Sequence, residues 1–421
     1  MRQPKIFTTI QTYSWTLFVA DMLAGATVAM IALPLSLAIA IASGADPAKG
    51  LVTAIVAGFL ISMFGGSRVQ VGGPTGAFIV VVFGVIAEHG YDGLVLATFM
   101  AGFILLIAGY FRAGNLIAFV PEAVVNGFTI GIGIIIATSQ LKDFLGLDVE
   151  KVPAEFLDKI PALWEARETF NLATFSIAII TLILIVVLRR IAPRLPGLIV
   201  AVGIGSVLVT FMSLPVDTLG TRFGELPSQL PWPQLPDFSP ARIIELLPSA
   251  FIIAFLAAVE SLLSAMVADK LIEGKHRPNA ELSAQGIANI ASALFTGLPA
   301  TGAIARTATN IKAGGKTPVA GIVHAVIILL VMLLAAPLAS YLAMPALAAL
   351  LIITAWNMTE PHKWSEYARG RKSDIVLLFL TLILTVVVDL TVAIGVGVSI
   401  GLALRLSRRK TVENDWVSPD R

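Results

Sequence analysis

Of 421 residues, 57% are hydrophobic and only 13% are charged, against about 25% charged in a soluble domain, so an ordinary soluble fold is excluded. A net charge of +2, with no basic patch interleaved with aromatics, excludes nucleic-acid binding. With 0 cysteines, disulfides, thiolate metal sites and cysteine nucleophiles are excluded as well.

Residues 1–18 lack the charged, apolar and small-residue regions of a secretory signal, so the first span acts as its own insertion signal. A span needs roughly 20 apolar residues. Candidate segments follow near 19–43, 50–65, 93–111, 117–141, 172–190 and 196–214, then near 246–268, 280–297, 319–337, 340–356, 374–388 and 390–407. Shorter apolar pieces near 75–87 and 302–311 bring the count to about fourteen. Residues 142–169 carry mixed charge and read as an amphipathic surface element.

With a cytoplasmic N-terminus, one set of loops collects Arg68, Arg112, Arg189, Arg190, Arg194, Lys270, Lys275, Arg277, Lys312, Lys316, Lys363, Arg369, Arg371 and Lys372. Arg405, Arg408, Arg409 and Lys410 fall on that side too, whereas the opposite loops are acidic or neutral, Lys49 excepted. This positive-inside bias places both termini in the cytoplasm of an inner-membrane protein. The expected layout is a cytoplasmic segment 1–18, a first repeat 19–213, an inter-repeat loop 214–245, a second repeat 246–407 and a cytoplasmic tail 408–421. Prolines forbid a long helix in 214–240.

The halves repeat. Residues 72–77 read GGPTGA and residues 298–303 read LPATGA. Setting Thr75 on Thr301 also pairs Gly76 with Gly302, Ala77 with Ala303, and residues 24–42 with 250–268, and it sets Pro34 opposite Glu260. An odd number of spans separates the copies, so they insert in opposite senses. Matched Gly/Pro-interrupted segments in two halves point to a transporter binding site. The run SRVQVGG (67–73) alternates and should be extended, which is tolerated at membrane depth only inside protein or beside a water-filled cavity. A helix then starts at Pro74 and Thr75, with Thr75 able to cap it, and the second copy does likewise at Pro299 to Thr301. Two half-helix N-termini facing each other suit an anion.

Glu260 sits mid-span in AFLAAVESLLSAMVA, where a carboxylate is costly and faces a cavity or a partner. It could carry a proton, or hold Na+ together with Ser264 one turn along, or serve only as a structural hydrogen bond between helices. Arg306, one turn into the second half-helix, could draw in or touch the anion, or form a structural ion pair, Glu260 being one partner for it. His324 reads as a packed polar residue, Asp21 and Asp269 as interfacial, and Asn126 and Asn310 as inter-helix glue. No GxSxG, HExxH or GxxxxGK[ST] motif occurs, and the 4 histidines have no metal-ligand spacing, so an enzyme is not expected.

The chain resembles the sulfate permease (SulP) family of anion transporters. The resemblance is carried by NAELSAQGIANIASALFTGLPATGAIARTATNIKAGGKTPVAGIVHA (279–325), the first span DMLAGATVAMIALPLSLAIAIASGADPAKGL (21–51), VGGPTGA, and the ending DLTVAIGVGVSIGLALRL. It implies an all-α polytopic membrane protein with a 7+7 inverted-repeat fold in core and gate domains, two segments being half-helices preceded by short extended strands. It also implies anion contacts at Thr75, Gly76, Ala77, Ala303, Ile304, Ala305 and Arg306, and the internal repeat adds Thr301 and Gly302 to the expected anion site. Glu260 matches an acidic position of cation-coupled members, and with Ser264 one turn along it is the expected cation-coupling pair, with H+ or Na+ as coupling ion and no other cofactor. A small anion, the bilayer and a second copy of the chain are the implied partners, and no nucleic acid. Leu35 after Pro34, and Ala303 and Ala305 where some relatives have serines, depart from the family pattern. A C-terminal STAS domain, usual in the family, is not found in these residues. A nucleobase–cation symporter of the same fold, and an uncoupled anion channel, are the competing readings.

Overall fold

A computed structural model of the chain describes residues 3–115, 121–149, 152–153, 155–192, 196–388 and 390–407. Arg194, Arg408, Arg409, Lys410 and the tail 408–421 lie outside these residues. The first half runs α1 (Lys5–Thr9), α2 (Trp15–Ala42), α3 (Pro47–Phe64), β1 (Gly72–Gly73), α4 (Ile79–Tyr110), α5 (Glu122–Leu145), α6 (Phe156–Glu165), α7 (Leu172–Ile191) and α8 (Gly197–Phe211). The second runs α9 (Leu219–Phe223), α10 (Pro240–Ile272), α11 (Pro278–Leu294), β2 (Thr301–Gly302), α12 (Ile304–Lys312), α13 (Pro318–Ala339), α14 (Met344–Met358), α15 (Trp364–Arg369), α16 (Lys372–Val387) and α17 (Leu390–Ser407).

The long helices start where a short polar side chain can hold the first free N–H groups. Ser14 accepts from Leu17, Asp46 from Ala48, Asn171 from Ala173 and Thr174, Ser239 from Arg242, and Thr317 from Val319. Among the described residues, 7 helices are long and apolar enough to cross a membrane. Their outward faces stay apolar, with Phe211, Leu334 and Phe379 exposed, as lipid-facing helices require. The first half-helix and the span after it form one element, α4, broken at Gly90 (φ 71°, ψ 178°). A side chain at that φ would be strained, and the break separates the segments expected at 75–87 and 93–111.

The helices sort into two bundles. In one, α2, α3, α4, α10, α11, α12 and α13 pack on one another; in the other, α5, α7, α8, α14, α16 and α17 do so. Between Phe211 and Pro240 only α9 forms, and it is pinned to the α13–α14 turn by Leu219 N–H to Leu342 O and Gly220 N–H to Ser340 O. Arg222 bridges Asp143 and Asp217 there. Helix α10 begins at Pro240, inside the segment read as inter-repeat loop, because Ser239 caps it and proline is favoured in a first turn.

Asp21, read as interfacial, is more than a span-end carboxylate. It is fully buried on α2, where Oδ1 accepts the Lys316 and Thr317 N–H groups and Oδ2 accepts the Thr317 and Tyr13 hydroxyls. A carboxylate at a helix N-terminus meets its free donors and its dipole, so Asp21 fastens α13 to α2. Asp269 pairs with His276 Nδ1 at 2.7 Å and closes the α10–α11 turn. Both carboxylates answer donors distant in sequence or folded back by a turn, which spacing alone does not reveal.

Candidate anion site

Of the run expected to be extended, only Gly72–Gly73 forms a strand and residues 66–69 bend; the run is buried apart from Arg68, and its backbone polar groups find partners in the other half of the chain. Val71 N–H donates to Thr307 Oγ1 and Val71 O accepts from Ala303 N–H. Strands β1 and β2 pair antiparallel, Gly72 against Gly302 and Gly73 against Thr301. Asn310 Nδ2 donates to Val69 O, so this asparagine ties a helix to the bent segment that leads into β1 rather than to another helix. Unpaired backbone at this depth would cost several kcal/mol per group; the crossing of the two strands removes that cost for both.

Each strand feeds a helix. Thr75 is extended (φ −125°, ψ 156°) at the start of the first, but its hydroxyl does not cap it: Oγ1 donates to Glu260 Oε2 at 2.8 Å. The second helix begins at Ile304 behind Ala303, later than the start expected at Pro299 to Thr301. Thr301 and Gly302 are held in β2 by pairing, so the helix can open only beyond them. The first turns leave N–H groups at Gly76 and Ala77, and at Ile304, Ala305 and Arg306, without intrahelical acceptors.

Both N-termini line one cavity of about 1240 Å³, together with Thr75, Gly302, Ala303 and Glu260. Leu35, Ile39, Phe128 and Met358 supply apolar wall, and Asn126 also lies on the lining. Lys270, Lys312, Lys363 and Arg189 line the same cavity, so it communicates with the face that carries the basic loops. Two expected residues are not on the lining. Thr301 is fully buried with its hydroxyl donating to Ala257 O at 2.8 Å. Ser264 hydrogen-bonds Thr307 Oγ1 at 3.2 Å rather than turning to Glu260, although the two are one helical turn apart.

Arg306 is 3% exposed, and the ion pair with Glu260 weighed from sequence is not formed. Its Nη2 donates to Pro74 O at 2.8 Å and to Ser36 Oγ at 3.4 Å, and Nη1 to Gly72 O at 3.4 Å. The guanidinium thus lies against the first junction while its own backbone N–H belongs to the second. Gly73 makes this approach possible: a Cβ there would stand 2.2 Å from Arg306 Nη1, and its φ of +146° disfavours any side chain. The positive charge is held by carbonyl oxygens, with no carboxylate neutralising it among the described ion pairs.

One supporting group escapes a reading of the sequence. Glu281, fully buried on α11, accepts from Gly66 N–H at 2.8 Å, Ser261 Oγ at 2.8 Å and Gln285 Nε2 at 2.9 Å. Gln70 Nε2 completes the network through Ser261 Oγ at 2.8 Å. This network braces the lead into β1 beside Glu260. The helical spacing of Glu281 and Gln285 in NAELSAQG is the signal the residues carry; their partners on α10 and before β1 leave no such mark. His324 is fully buried, as a packed polar residue would be. Among the described residues no cluster of three or more His, Asp or Glu could hold a metal.

Comparison with known proteins agrees with this architecture. The model of the "Sulfate permease family" matches residues 18–381. The chain is 43% identical over 370 residues to "Putative sulfate transporter YvdB" of Bacillus subtilis (strain 168), covering 88% of this chain and 70% of that protein. It is 34% identical over 346 residues to "Bicarbonate transporter BicA" of Picosynechococcus sp., covering 78% of this chain and 60% of that one. The solved transmembrane domain of a cyanobacterial BicA superposes with a TM-score of 0.81 at 30% identity, over 91% of this chain and 99% of that domain. Murine Slc26a9 in its inward-facing state, at 18% identity, shares the fold with a TM-score of 0.86 over 100% of this chain and 75% of that one. With the family model spanning most of its length and a solved family domain superposing on nearly all of its fold, this multi-pass membrane chain belongs to the sulfate permease family and has its inverted-repeat anion-transporter architecture.

Proposed function

We propose that the protein is a secondary active transporter of a small anion of the bicarbonate, sulfate or dicarboxylate class, driven by H+ or Na+ across the inner membrane. The observation that carries this reading is the convergence of two half-helix N-termini and the Arg306 charge on one cavity. Backbone N–H groups at helix starts, with the dipole behind them, hold anions without needing a metal partner. Anions of the names carried by YvdB and BicA fit that chemistry. Glu260, on the lining and bonded to Thr75, is the coupling group; Ser264, turned away, is not part of it.

The cavity meets the basic face, which the positive-inside bias assigns to the cytoplasm together with both termini. On this reading the structure is the cytoplasm-facing state, and the bundle carrying both half-helices slides past the other in an elevator-like motion, within a homodimer. A nucleobase symporter would place a second carboxylate on the second half-helix, where Ile304, Ala305 and Arg306 stand instead. Uptake of labelled bicarbonate, sulfate and succinate into proteoliposomes, each with and without Na+ at two pH values, tests the reading. Saturable, cation-dependent uptake of at least one is expected; a non-saturating conductance without cation dependence would establish a channel.

A further inference from the structure

Lys159 is a cation with no evident structural reason to be buried. It lies on α6, outside the spans, and is 3% exposed. Its Nζ donates to Ser139 Oγ on α5 at 2.9 Å and stands 5.6 Å from the centre of the Phe83 ring on α4. Burial pulls its ammonium down to about 8, so the position disfavours charge. Helix α6 packs on α5 and α16. On α5, Asp143 is taken by Arg222 at 2.7 Å, and Lys142 donates to Val149 O. Asp389, beyond α16, lies outside the described residues.

The place of this contact matters more than its strength. Phe83 belongs to the first half-helix, the one whose start lines the anion cavity, and its ring packs against the α2–α3 turn, where a Cβ on Gly44 would stand 3.3 Å away. Ser139 and Lys159 belong to the other bundle. Neither Phe83 nor Lys159 lines the cavity, which extends toward the opposite, basic face. Lys159 therefore spans the seam between the bundles on the side where the cavity is closed.

We propose that Lys159 is an outer anion subsite, covered by Phe83 and Ser139 while the cavity is open to the basic face and uncovered to meet an incoming small oxyanion when the opposite face opens. The proposal rests on the transport reading above, since it needs the two bundles to part at this seam. An ammonium with a hydroxyl and a ring face as its described partners can exchange both for an anion without breaking an ion pair between described residues. Its burial in one state and use in the other makes the contact a latch as well as a receptor.

Anion uptake is measured in proteoliposomes of fixed orientation, with sulfate or bicarbonate presented from either face. Lys159→Gln is expected to raise KM from the α6 face about tenfold, the worth of a charged hydrogen bond, and to leave KM from the basic face unchanged. Lys159→Arg should restore the α6-face value. An unchanged α6-face KM, or an equal rise from both faces, overturns the subsite, the second by showing a merely structural role. Wild-type protein that moves no anion would sink the transport reading and the subsite together. If Lys159→Gln does not fold, wild-type protein is treated from the α6 face with an impermeant amine-acetylating reagent, and Lys159 modification is read by mass spectrometry. Modification that increases when anion is supplied for turnover supports the subsite; modification indifferent to turnover contradicts it.

Discussion

The two half-helix junctions share a backbone and divide the chemistry unequally. The first supplies strand Gly72–Gly73, the Thr75 hydroxyl and the carbonyls of Gly72 and Pro74; the second half supplies both ionisable side chains, Glu260 and Arg306. At the repeat position of Glu260 the first half has Pro34. Each ionisable group of the second half is tied to the first, Glu260 through Thr75 and Arg306 through Gly72 and Pro74. On the proposed reading, two-fold backbone repetition makes a place for a negative charge, and the asymmetric side chains decide what accompanies it. Because both ties cross between halves, a change in one junction should be felt in the other.

The largest break is expected from Arg306→Ala. It removes the charge and leaves the Gly72 and Pro74 carbonyls buried without a donor, at about 1–3 kcal/mol each. Anion uptake in proteoliposomes should be abolished, while a monodisperse gel-filtration peak would show the fold retained; wild-type uptake would remove Arg306 from the site. Glu260→Gln should separate coupling from binding. The amide oxygen can still accept from Thr75, so anion binding persists, but uptake should no longer follow the H+ or Na+ gradient; full gradient-driven transport in this variant refutes the assignment. Gly73→Ala asks whether the first junction places Arg306. A methyl group displacing the guanidinium should lower the anion affinity about tenfold, the worth of one charged hydrogen bond. A thermal-shift titration with sulfate that matches wild type would show the close approach to be incidental.

Much of this arrangement is legible in the amino-acid sequence. The spans follow from composition, and the two Gly/Pro interruptions and the pairing of Thr75 with Thr301 follow from the repeated motif and the bilayer's intolerance of unpaired backbone. Side-chain direction is not legible there. Thr75 reads as a cap and serves Glu260 instead, and Thr301 matches it in sequence yet turns to Ala257, because pairing in β2 holds it three residues before the helix. Ser264 shares a helix face with Glu260 by spacing, but the hydroxyl of Thr307 lies nearer. Glu281 and Asp21 are readable as carboxylates and not as braces, since their donors come from segments hundreds of residues away or across a bundle. Such choices depend on tertiary neighbours, which a repeat offset does not encode.

The central claim is that the anion sits between the two half-helix N-termini, and selenate, a sulfate isostere with an anomalous scatterer, tests it most directly. A crystal of the protein grown with selenate should show an anomalous peak within hydrogen-bond distance of the N–H groups of Gly76 or Ala77 and of Ile304 or Ala305. A well-bound selenate elsewhere in the cavity, with none between these N-termini, would contradict the account.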